Sequence, residues 1–93
     1  MTHWQLRLYR VEPGRMDDWL REWRDHVRPL REAKGFHVLG PWVGEENRFV
    51  WLIGRDDFAA ADAAYYESPE RAQMDPDPVR LLVETETLML EEL

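Results

Sequence analysis

The chain has 93 residues, enough for one domain around one core, and no repeat or linker divides it. Acidic residues outnumber basic ones 19 to 12, and the formal charge of −7 disfavours nucleic-acid backbones and anionic membranes as partners. Cysteine is absent, which excludes disulfides and thiolate chemistry; the longest apolar run, 49–53, is too short to cross a bilayer, and residues 1–5 carry no signal-peptide pattern, so a cytoplasmic location is expected.

Residues 3–11 alternate, with Trp4, Leu6 and Leu8 on one side and Gln5, Arg7, Tyr9 and Val11 on the other, the period of a strand. Over 15–34 the period changes. Met16, Trp19, Leu20, Trp23, Val27 and Leu30 recur at steps of three and four, predicting an amphipathic helix with Asp17 and Asp18 in its first turn. Pro29 lacks the helical N–H and crowds the turn before it, so the spacing predicts a kink near 25–29 or a restart with Pro29 in a first turn. Gly35 suits the helix end.

Residues 36–43 and 48–55 read as strands joined by a hairpin turn at 44–47. Asp56 or Asp57 is expected to cap a second helix over 58–66, with Phe58, Ala61 and Tyr65 on one face. Ser68-Pro69 opens a short helical turn to about residue 74, the Asp75-Pro76-Asp77-Pro78 run ends it, and 80–90 alternate as the last strand.

The order strand–helix–strand–strand–helix–strand predicts an α+β, ferredoxin-like βαββαβ sandwich: a four-stranded antiparallel sheet with both helices on one face. The other face should then be polar, yet the middle strands are apolar on both sides: Phe49, Trp51 and Ile53 against Val50 and Leu52. A second copy covering that face is expected, making a homodimer whose two sheets enclose a barrel-like space suited to a small apolar or aromatic ligand.

The chain resembles the NIPSNAP family of the dimeric α/β-barrel superfamily over nearly its whole length. The likeness is carried by Leu6-Arg7-Leu8-Tyr9 before Pro13-Gly14-Arg15, by Pro29-Leu30-Arg31 ahead of Gly35-Phe36, by Leu39-Gly40-Pro41-Trp42, by Phe49-Val50-Trp51-Leu52 and by Tyr65-Tyr66-Glu67-Ser68-Pro69-Glu70. The resemblance implies a ferredoxin-like subunit and a homodimer, and no agreed mechanism. Enzymes of the wider superfamily include cofactor-independent monooxygenases of antibiotic biosynthesis, haem-degrading monooxygenases and muconolactone isomerases. The monooxygenase pattern places an Asn on the first strand, with a Trp and a His. Here that strand offers Arg7 and Tyr9, the only Asn is Asn47, and the second helix has no His.

Several residues could serve a ligand. With Leu6 and Leu8 toward the helices, Arg7 and Tyr9 would face the inter-sheet space, a guanidinium for a carboxylate or enolate beside a phenolic donor. Arg7 paired across the sheet with Glu84 or Glu86 is the structural alternative. His37, at the start of the second strand, could carry a proton or simply be solvated. Trp42, Trp51, Tyr65 and Tyr66 could wall an aromatic pocket, Trp51 foremost, whereas Trp19 and Trp23 belong to the helix core. His26, His3 and His37 are too scattered for a local metal motif, Asp75 and Asp77 lack the other ligands of a calcium loop, and there is no glycine-rich phosphate loop, so no metal or cofactor is expected. The expected function is binding of a small apolar or aromatic metabolite by a homodimer, with ligand contacts from Arg7, Tyr9, His37, Trp51 and Tyr65. A cofactor-independent monooxygenase or isomerase and a non-catalytic interaction module are the alternatives.

Overall fold

The alternating residues at the N-terminus form strand β1 (His3–Val11), which lies inside the sheet of a computed structural model describing all 93 residues. β1 pairs antiparallel with β3 (Arg48–Arg55) on one side and with β4 (Leu82–Leu90) on the other, and β2 (His37–Gly44) lies beyond β3. The order β2-β3-β1-β4 is a four-stranded antiparallel sheet with the helices on one face.

The first helix is interrupted where the proline required it. α1 (Met16–Glu22) passes into a π-helical turn over Trp23–Val27, and α2 (Arg28–Ala33) restarts with Pro29 in its first turn. An α-helical Pro29 would press its ring on the Asp25 carbonyl. The wider turn, closed by Arg28 N–H to the Trp23 carbonyl, relieves that contact and keeps Trp23 and Val27 inward.

α3 (Phe58–Glu67) begins without the expected aspartate cap. Asp57 stands at the N-cap position in left-handed backbone, φ 52°, and its side chain makes no capping bond. Ser68 does cap: its hydroxyl accepts from Arg71 N–H at the start of α4 (Pro69–Ala72) and donates to the Tyr65 carbonyl. Asp77 caps a 3₁₀ turn over Pro78–Leu81, so β4 starts two residues later than its alternation suggests.

The side chains of β1 correct the expected facing. Arg7, Tyr9 and Val11 point toward the helices, in register with Trp51 and Phe49, while Leu6 and Leu8 lie on the open face opposite Leu52 and Val50. Aromatic packing sets this phase. Trp19 meets Tyr9 and Phe49 edge-on at 5.8 and 5.4 Å, and Trp23 meets Phe49 and Trp51 at 5.3 and 5.5 Å. Edge-to-face pairs of this kind add about 0.5–1.5 kcal/mol each beyond burial. The reverse phase would have forfeited the tyrosine and put Leu6 and Leu8 in place of Arg7 and Tyr9.

The open face carries Trp4, Leu6 and Leu8 of β1, Leu39 and Trp42 of β2, Val50 and Leu52 of β3, and Leu88 and Leu90 of β4. Several are conspicuously uncovered, with Trp42 53 % and Leu88 58 % exposed.

Candidate functional site

Burying Arg7 between sheet and helices creates a polar problem that the helices solve. Its Nε donates to Gln5 Oε1 at 2.8 Å, and Nη1 donates to the hydroxyls of Tyr66 at 2.9 Å and Tyr9 at 3.1 Å. Its Nη2 reaches Asp62 Oδ1 at 3.3 Å. Glu84 and Glu86 are not its partners: they lie on the other face, where Glu84 approaches Arg10 at 3.8 Å.

The same Asp62 oxygen accepts from a second arginine, Arg31 Nη1, at 2.8 Å. Arg31 comes from α2, Asp62 from α3 and Arg7 from β1, so the ion cluster joins both helices to the sheet. Arg31 is 1 % exposed and sandwiched by rings, its guanidinium 3.6 Å from the centre of Tyr65 and 4.7 Å from that of Phe36. Burial pushes the Tyr65 hydroxyl up from its ordinary pKa, so that phenol is no counter-charge at neutral pH.

These groups wall a narrow crevice of about 30 Å³ under the helix layer. Its lining includes Arg7, Arg31 and Arg71, the aromatic rings of Tyr9, Trp19, Trp51, Tyr65 and Tyr66, and no carboxylate. Three buried N–H groups of this wall have no acceptor in the protein: Nε1 of Trp19, Nε1 of Trp51 and Nε of Arg31. Leaving such a donor unpaired costs about 1–3 kcal/mol. The hydroxyls of Tyr9 and Tyr66 both accept from Arg7, which leaves the proton of each to donate elsewhere. The arrangement is rich in donors and poor in acceptors. It can hold an oxygen-bearing group of a ligand between aromatic surfaces.

Of the residues singled out in the sequence, Arg7, Tyr9, Trp51 and Tyr65 meet at this crevice, on the helix side and not in the inter-sheet space. His37 is elsewhere, exposed on the open face with its ring 6.3 Å from that of Trp4. Trp42 is likewise on the open face. Trp19, read as core alone, is buried and also lines the crevice. Arg31 and Asp62 were not foreseen. The signal was available: Arg31 follows Val27 by four on the inward stripe, and Asp62 follows Phe58 by four and precedes Tyr65 by three. His26 is exposed in the π-helical turn, and no group of three or more His, Asp or Glu side chains could hold a metal.

Comparison with known proteins agrees with the architecture. The model of the NIPSNAP family matches residues 4–91. An uncharacterised NIPSNAP domain protein from Burkholderia xenovorans superposes with a TM-score of 0.85 at 22% identity, covering 98% of this chain and 94% of that one. A NIPSNAP family protein from Agrobacterium tumefaciens gives 0.87 at 19% identity over 100% and 94%. A protein from Bacteriodes thetaiotaomicron, named as a candidate antibiotic biosynthesis monooxygenase, gives 0.78 at 14% identity over 99% and 90%, a likeness of fold alone. No curated protein matches the chain. With a family model spanning nearly every element described above, the chain belongs to the NIPSNAP family.

Proposed function

We propose that this protein is a homodimer whose subunits each bind a small aromatic or apolar metabolite at the crevice between sheet and helices. The observation that carries the ligand is the wall itself: five aromatic rings around buried N–H groups that no protein atom satisfies. Such a lining, mostly apolar with a few convergent polar groups, is what small-molecule sites use. The dimer rests on the open face, where Leu39, Trp42, Leu88 and Leu90 are exposed, apolar surface of the kind that a partner subunit covers. Two-fold stacking of that face on its own copy buries it at no cost in new sequence.

The test is direct. Native protein is weighed in solution, then denatured and searched by mass spectrometry for a co-purified small molecule, and the apoprotein is screened by tryptophan fluorescence against aromatic acids and phenols. Trp19 and Trp51 stand in the wall, so occupancy should change the emission. A monomer with emission indifferent to the whole panel rejects the reading.

A second reading has its own support in Arg7, every nitrogen of which already has an acceptor. In that reading the cluster is a polar core that fixes the helices on the sheet, and the protein is an interaction module. It predicts a dimer that persists while no ligand alters the fluorescence.

A further inference from the structure

We propose that the crevice selects a monoanionic carboxylate, its head inside and its apolar body outward over Tyr66 and Val79; the inference deepens the ligand-binding function above and rests on it. Charge is the first argument. Arg7 and Arg31 share one oxygen of a single carboxylate, Asp62, so the cluster carries one positive charge in excess. Arg71, the third cation of the wall, is taken by Asp77 at 3.0 Å. A buried cation without a counter-ion is strongly disfavoured, and a bound anion supplies what the chain does not.

The donors decide where the anion sits. Every nitrogen of Arg7 already has an acceptor, so recognition falls to Arg31, whose Nε has none, and to the indole N–H groups of Trp19 and Trp51. Charge-assisted bonds to a carboxylate satisfy these together. Size is the third argument. A space of about 30 Å³ takes about two oxygen-sized groups, which fits a carboxylate and is too small for a ring or a phosphate. The body of the ligand must therefore lie outside, and the crevice rim offers it Tyr66 and Val79, each 47 % exposed.

The experiment follows the five indole N–H resonances of ¹⁵N-labelled protein during titration with phenylacetate, phenylacetamide and inorganic phosphate. Phenylacetate should shift two of them saturably, with the amide about tenfold weaker and phosphate without effect. Arg31→Met should abolish the shift, and Asp62→Asn, which raises the excess positive charge, should tighten phenylacetate binding. If Arg31→Met fails to fold, the Asp62→Asn comparison decides. Equal shifts from the amide would leave the crevice as a ligand site and end the anion preference, as would weaker phenylacetate binding by Asp62→Asn. Shifts from phosphate as large as those from the acid would overturn the assignment to a carboxylate. Indoles that answer to none of the three remove both the selection and the crevice as a binding site.

Discussion

Arg31 and Asp62, on two different helices, meet at 2.8 Å above the sheet, and the carboxylate oxygen that Arg31 uses is the one that also faces Arg7. Asp62 is thus the single negative charge holding two buried guanidiniums. Its side chain is 25 % exposed, so water shares the load only in part. Asp62→Ala should lower stability by about 3 kcal/mol, the range for stranding a buried charge. Urea denaturation measures it, and a loss under about 0.5 kcal/mol, the size of an ordinary surface substitution, would show that the cluster does not hold the helices to the sheet.

The open face makes a prediction about mass. Trp42→Glu places a charge on the apolar surface, at the edge strand β2, without touching the core. The parent protein should sediment at about twice its 11.2 kDa chain mass and the variant as a single chain, both folded by circular dichroism. A parent that sediments as one 11.2 kDa chain would remove the dimer from the proposal.

Acid should act through Glu22. Arg80 grips both of its carboxylate oxygens, at 2.7 and 2.8 Å, and this hydrogen bonding holds the Glu22 carboxyl below its ordinary pKa of 4.5. A depressed carboxylate pKa contributes stability that is fully present above the unfolded value and is lost as pH falls through the folded one. Thermal unfolding should therefore show Glu22→Gln with a lower Tm than the parent at pH 7, the two converging well below pH 4.5. A gap that stays constant through that window would mean the pair contributes nothing by charge.

Ser68 carries a smaller, local contribution. Its buried hydroxyl bonds the Tyr65 carbonyl at 2.7 Å and the Arg71 N–H at 3.2 Å, closing α3 and opening α4 with one side chain. Ser68→Ala should cost about 1–2 kcal/mol. Because Tyr65 and Arg71 both line the crevice, the same variant should weaken phenylacetate binding in the indole titration. Ligand affinity unchanged despite the lost stability would show that the α3–α4 junction does not shape the site.

Much of this molecule could be read before any coordinates. Period two placed the first and last strands and period three-to-four the first helix, because backbone geometry repeats side-chain direction at those intervals whatever the residues pack against, and the hairpin turn at 44–47 placed the two middle strands. Pro29 announced the break in the helix, and Ser68-Pro69 announced the cap, because both act within a turn of their own position. The doubly apolar middle strands announced a face that the chain's own helices do not cover.

Phase was another matter. Alternation divides a strand into two sides and is silent on which side meets the helices. Arg7 looked like the polar side, and it went inside because Asp62 and Tyr66 of α3 converge on it beside Tyr9 of its own strand. Electrostatic partnership of that kind depends on distance in space: Asp62 lies 55 residues from Arg7 and 31 from Arg31 along the backbone. Until the helices dock, nothing in the local order of residues distinguishes a solvated arginine from one that sits at the centre of the fold.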